Sequence, residues 1–165
     1  MSCVLVKEVE AASDDYVAKG GYENESLLRV YPRSTSNLEK GFPIHVLVCS
    51  DYAFISNELK TGLQHAVSPR KVEFTICPEF SLGADLIKTN DFDIILVDVD
   101  TSGAHEFISQ VNETQGWTGV VVVAITAFFD KYNLYEIFSS GARYCISKQK
   151  PNMDILRRIA NVLHR

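Results

Sequence analysis

Positive charge is scarce in this chain: 16 Lys and Arg stand against 21 Asp and Glu, giving a formal net charge of -5 and a pI near 5.3. A protein that grips a phosphate backbone carries a basic face or stripe, so no nucleic-acid partner is expected. Long apolar runs are missing as well. The patch over 3–6 is cut short by Lys7 and Glu8, too soon for a signal-peptide core or a membrane span, and the expectation is a cytoplasmic protein with no membrane contact. Four cysteines, Cys3, Cys49, Cys77 and Cys145, show neither CxxC nor metal-type spacing, which reads as reduced, structural thiols. Neither a GxxxxGK[ST] loop nor a GxGxxG turn follows any apolar run, so the cradle that nucleotide- and flavin-binding enzymes use is absent. His45, His65, His105 and His164 lack triad or metal-ligand spacing, and no internal repeat is evident.

What is present suffices for one core. At 46% hydrophobic and 22% charged residues over 165 positions, a single sizeable domain can form but two would be strained. Residues 1–42 read as an extension with a linker at about 32–42, a largely mobile tail in which 3–6 and 27–31 are short pieces able to pair or dock. Residues 43–165 read as the domain. There, apolar strand-like runs at 45–49, 71–77, 93–98, 119–126 and 144–147 alternate with helical patterns at 52–65, 80–88, 106–114 and 131–139. A terminal helix carries Ile155, Ile159 and Val162 on one stripe. Near-continuous runs such as 94–97 and 120–125 are the mark of strands buried on both faces. Right-handed βαβ crossovers then give an α/β, flavodoxin-like, doubly wound five-stranded parallel sheet of order 2-1-3-4-5.

In such a sheet the reactive groups collect beyond the carboxyl ends of the strands. Ser50 and Asp51 follow the first run, Asp98 and Asp100 the third, Thr126 the fourth, and Ser147 and Lys148 the fifth. Two carboxylates can hold a hard divalent cation while a hydroxyl and an ammonium receive the oxygens of a transferred phosphoryl group. Each residue also has an ordinary structural role available: Asp51 as a helix N-cap, Asp98 as a strand end, Lys148 as a solvated loop charge. Phe128 and Phe129, next to Thr126, read as a packing hinge.

The segments His45-Val-Leu-Val-Cys-Ser-Asp51, Asp93-Ile-Ile-Leu-Val-Asp98, Val123-Ala-Ile-Thr126-Ala and Gly141-Ala-Arg-Tyr-Cys-Ile-Ser-Lys148 together resemble the receiver domains of two-component response regulators, over about 43–165. The resemblance implies that Asp98 is the phosphoacceptor, that Asp51 and Asp98 with the backbone carbonyl of Asp100 ligate Mg²⁺, and that Thr126 and Lys148 bind the phosphoryl oxygens. It implies a histidine kinase or histidine-phosphotransfer protein as donor and a downstream protein bound through about 130–164. The chain would be no enzyme beyond catalysing its own phosphorylation and dephosphorylation at Asp98.

Four positions depart from the family pattern. Ser50 replaces an acid, which weakens the expected Mg²⁺ binding. Cys145 stands at the aromatic switch position, with Tyr144 one place earlier and so on the opposite face of the strand. Gln149 replaces the Pro after Lys148, and Lys150-Pro151 follows two residues later, leaving Lys150 as the alternative to Lys148. The loop after Asp98 reads Val-Asp-Thr-Ser-Gly103, with an extra acid at Asp100 and without the common Pro. These departures keep a second reading open: a pseudo-receiver, acting as a phosphorylation-independent interaction or scaffold module.

Overall fold

Ile44–Cys49 (β1), Val72–Cys77 (β2), Ile94–Asp98 (β3), Val121–Thr126 (β4) and Tyr144–Ser147 (β5) form the parallel sheet. The computed structural model describes residues 7–8, 16–17, 19–20, 42–50, 56–115 and 119–163. The strand order is β2-β1-β3-β4-β5, all neighbours parallel, as expected from the alternation of strands and helices. In β3 and β4 every residue is buried, because helices cover both sheet faces and no strand side points to water. β2 is an edge, and Ile76 there is 40% exposed.

Among the described residues, four helices separate these strands, α1 (Asn57–Ala66), α2 (Phe80–Thr89), α3 (Ala104–Gln115) and α4 (Lys131–Ser139), and α5 (Met153–Leu163) follows the last. Alternate strand residues feed two cores, as the period of two requires. Val46, Val48, Ile94, Leu96, Val121, Val123 and Ile146 pack against Leu59 and Leu63 of α1 and Ile155, Leu156 and Ile159 of α5. Leu47, Ile95, Val97, Val122 and Ala124 pack against Ile87 of α2, Phe107, Ile108 and Val111 of α3, and Leu134 and Ile137 of α4. Each fully buried Ile or Leu contributes about 1.5–3 kcal/mol relative to exposure.

Local chemistry sets the helix ends. Ser56 Oγ accepts from Leu59 N at 3.1 Å and caps α1, while Asp130 Oδ1 accepts from the amides of Tyr132 and Asn133 at 3.0 Å each and caps α4. Asp51, also considered as a cap, falls outside the described residues, as do the start of the 52–65 pattern and the 3–6 and 27–31 pieces. The turn into β5 needs Gly141: its φ is +109°, and a Cβ there would run into the Asn112 carboxamide. Cys49, Cys77 and Cys145 are buried and in no disulfide. Burial, then the neighbouring Cys77, pushes the Cys49 thiol well above its ordinary value.

One feature of the sheet exceeds the expected five strands. Tyr16–Val17 lies antiparallel along β5, Tyr16 opposite Cys145 and Val17 opposite Tyr144, and Lys7–Glu8 pairs antiparallel with Lys19–Gly20. Part of the extension therefore closes an otherwise open sheet edge. Among the described residues no helix is long and apolar enough to cross a membrane.

Candidate functional site

β3 delivers Asp98 to the rim after four consecutive buried aliphatics, and only 6% of its side chain reaches solvent. A carboxylate so enclosed needs donors, and three are present. Lys148 Nζ lies 2.7 Å from Oδ1, the Asp100 amide donates to Oδ1 at 3.1 Å, and Ser50 Oγ donates to Oδ2 at 3.0 Å. Ser50, read from sequence as a missing acid, is thus a hydrogen-bond partner of the candidate acceptor.

Two residues on, the backbone of Asp100 is exposed but its side chain turns inward and is 15% accessible. Oδ1 accepts from Thr126 Oγ1 at 2.5 Å. Oδ2 accepts from the Ala127 amide at 2.9 Å and lies 2.8 Å from Lys148 Nζ. Burial raises the Asp100 carboxyl, but hydrogen bonds from Lys148, Thr126 and Ala127 and the Lys148 charge outweigh it and hold the group below the usual carboxylate value. Burial likewise lowers Lys148, and the two carboxylates overcome it, so the ammonium titrates above its ordinary value.

Thr126, fully buried at the end of β4, is fixed from several sides. Its one proton goes to the Asp100 carboxylate, since the other acceptor in range, the Phe128 carbonyl, is neutral and 3.4 Å away. Its oxygen accepts from the Phe128 amide at 3.0 Å and from Asn133 Nδ2 at 3.2 Å, and Asn133 Nδ2 also reaches the Phe128 carbonyl at 2.6 Å. Lys148 is placed by its own backbone, whose amide donates to the Thr126 carbonyl at 3.0 Å. Ser147 Oγ then accepts from the amides of Gln149 and Lys150 and turns the chain. The lysine that reaches the carboxylates is Lys148, while Lys150 is exposed.

Of the residues singled out from sequence, Asp98, Asp100, Thr126 and Lys148 converge, and Asp51 lies outside the described residues. Sequence reading missed Asn133, the Ala127 amide and the donor role of Ser50. Only Asn133 carries a signal, since it stands in the first turn of α4, three residues after the Asp130 cap, where an Asn side chain can bond the neighbouring loop backbone. The expected hinge is half right: Phe129 packs on the core, but Phe128 is 63% exposed, and Tyr132 and Tyr135 beside it are 84% and 63% exposed. Tyr144 and Cys145 do face opposite sides of β5, Tyr144 toward α1 and α5 and Cys145 toward α2, α3 and α4. Among the described residues no group of three His, Cys, Asp or Glu is arranged to hold a metal ion. The oxygen donors of Asp98 and Asp100 do suit a hard cation such as Mg²⁺.

No protein-family model and no curated protein matches the chain. Solved structures do. The signal receiver domain of a DNA-binding response regulator from Colwellia psychrerythraea is 19% identical, with a TM-score of 0.59, over 74% of this chain and 99% of that one. A putative response regulator from Chloroflexus aurantiacus is 21% identical, with a TM-score of 0.60, over 74% and 99%. An orphan response regulator of H. pylori is 16% identical, with a TM-score of 0.55, over 74% and 97%. The chain has the fold of response-regulator receiver domains, with Asp98, Asp100, Thr126 and Lys148 gathered at the carboxyl ends of its central strands.

Proposed function

We propose that this chain is a cytoplasmic receiver module of a phosphorelay, accepting a phosphoryl group on Asp98 and signalling by protein–protein contact. The observation that carries the reading is the Asp98–Lys148 pair at 2.7 Å, with Thr126 held beside the same ammonium through Asp100. In the transfer, an Asp98 oxygen attacks the phosphorus of a phosphohistidine on a histidine kinase or histidine-phosphotransfer protein. The new O–P bond forms as the P–N bond breaks, and the electron pair returns to the imidazole of the donor. Lys148 neutralises charge on the oxygens during this step. Asp98, Asp51 and the backbone carbonyl of Asp100 are the groups that would hold Mg²⁺, which when bound offsets the charge of carboxylate and phosphate. Output leaves through residues 130–164.

Incubation with acetyl phosphate and Mg²⁺ tests this. One phosphoryl group should appear by intact mass, and Asp98→Asn should abolish it without unfolding the protein. An unmodified wild type overturns the reading. A specific feature favours the second reading, a phosphorylation-independent scaffold: Asp98 already accepts three hydrogen bonds, and Asp100 occupies the donors that phosphoryl oxygens would need.

A further inference from the structure

Three donors of unrelated origin meet on one anion at the rim: the hydroxyl of Thr126 at 2.5 Å, the main-chain amide of Ala127 at 2.9 Å and the ammonium of Lys148 at 2.8 Å, all aimed at the Asp100 carboxylate. We propose that Asp100 is the resident anion of this cradle: its carboxylate holds Thr126, Ala127 and Lys148 in the anion-engaged arrangement with no phosphoryl group present, and any incoming oxyanion must displace it. The inference rests on the proposed function only in taking the cradle to be where phosphoryl oxygens of Asp98 would bind.

Proton counting makes the occupancy exclusive at two of the three donors. A hydroxyl and an amide each have one proton to give, whereas an ammonium has three. Lys148 serves Asp98 and Asp100 together and has a proton to spare. Thr126 and Ala127 cannot serve both Asp100 and a phosphoryl oxygen. A phosphoryl group on Asp98 would also meet the Asp100 charge nearby, and like charges at such range repel. Asp100 therefore opposes phosphorylation twice, by holding the donors and by its own charge.

The same contact reaches α4. Thr126 accepts from Asn133, and Asn133 also donates to the Phe128 carbonyl, so fixing the hydroxyl fixes the 127–130 loop and the start of α4. The exposed Phe128, Tyr132 and Tyr135 are thereby displayed in one arrangement whether or not Asp98 is modified.

The test uses inorganic phosphate as the probe in an Asp98→Asn background, where no acyl phosphate can form. The Ala127 amide is followed by NMR in Asp98→Asn, in Asp98→Asn/Asp100→Ala, and in Asp98→Asn/Asp100→Asn as the isosteric check on folding. Removing the Asp100 charge should tighten phosphate binding at that amide by about 10-fold or more, the scale of one charge-assisted contact. Equal affinity in all three overturns the proposal. Acetyl phosphate with Mg²⁺, read by intact mass on wild type and Asp100→Ala, decides the acceptor separately. Faster labelling of Asp100→Ala agrees with both readings, and equal labelling overturns the resident anion while keeping Asp98 as acceptor. No labelling of either, with the 10-fold phosphate difference intact, overturns the acceptor alone.

Discussion

Lys148→Met removes the ammonium that two carboxylates share and keeps most of the side-chain stem. Lys148 Nζ lies 2.7 Å from Asp98 and 2.8 Å from Asp100, whose side chains are 6% and 15% exposed. The variant leaves two carboxylates that shared one ammonium, at 2.7 and 2.8 Å, without a counter-charge; like charges at a separation of about 5 Å repel by about 3 kcal/mol at an effective dielectric constant near 20. Removing one partner of a buried pair costs about 3–5 kcal/mol. Lys148 itself is 30% exposed, so water screens part of this, and the expected loss is about 2–3 kcal/mol. That corresponds to a fall of roughly 6–12 °C in Tm for a domain of this size. The assay is thermal unfolding in chelator at about pH 7, with Lys148→Met/Asp100→Asn alongside. Deleting one of the repelling charges should recover at least half of the loss. A Lys148→Met protein that melts with wild type, or a double variant no more stable than the single one, refutes the shared-ammonium description.

Three further outcomes follow from particular contacts. Ser50→Asp replaces the donor to Asp98 Oδ2 with a like charge, so the variant should melt below wild type in chelator and regain stability as Mg²⁺ is titrated, with second-shell changes worth about 10-fold in affinity; Mg²⁺-independent, superimposable melts would refute it. Ser56→Ala removes the α1 cap at Leu59 N and should cost about 1 kcal/mol in urea unfolding. For pH, the Asp100 value is lowered below 3.8, so its contribution is complete above that pH and lost as pH falls through the lowered value; the Lys148 value is raised above 10.5, so its contribution is complete below that pH and lost as pH rises through the raised value. The stability gap between wild type and Asp100→Asn should therefore stay flat from about pH 5 to 9, shrink in acid as Asp100 protonates and shrink again in strong alkali as Lys148 loses its proton; a gap that changes across neutral pH refutes the assignment.

The sheet was legible because its signal is physical and local. Strands buried on both faces read as near-continuous apolar runs, and 93–98 and 119–126 became Ile94–Asp98 and Val121–Thr126. The second run shortened because Gly119 sits at φ +79° and turns the chain before pairing begins. The pattern at 131–139 matched α4 to the residue, since the Asp130 cap fixes its start. The expected order 2-1-3-4-5 already put the second strand at an edge, but the alternation of apolar residues along β2 does not say that Ile76 stays 40% exposed there. Nor was the pairing of Tyr16–Val17 with β5: a two-residue strand has no period to read. At the rim, spacing was enough to expect Asp98, Asp100, Thr126 and Lys148 at one end of the sheet, where they meet, but the direction of the Asp100 side chain is a property of loop backbone that no periodicity encodes.

Two departures from the receiver pattern, taken separately, weaken the site, yet their geometry makes them complementary. Ser50 takes a carboxylate away on the β1 side and Asp100 adds one beyond β3, so the formal charge of the rim is kept while its partners change. On the β1 side Ser50 donates to Asp98, and beyond β3 Asp100 accepts from Thr126, Ala127 and Lys148. Asp98 and Asp100 then each find their donors within the chain, and the shared Lys148 ammonium offsets the repulsion between them. The third departure fits the same logic. Cys145 is fully buried and Tyr144 points to the opposite core, so no aromatic on β5 is positioned to follow the Thr126 hydroxyl. The side chain that does contact the hydroxyl is Asn133, in the first turn of α4. Tyr16–Val17 covers the β5 edge, whereas Phe128, Tyr132 and Tyr135 on the loop and helix after β4 stay exposed, and the backbone that displays Phe128 is tied directly to the hydroxyl that Asp100 holds.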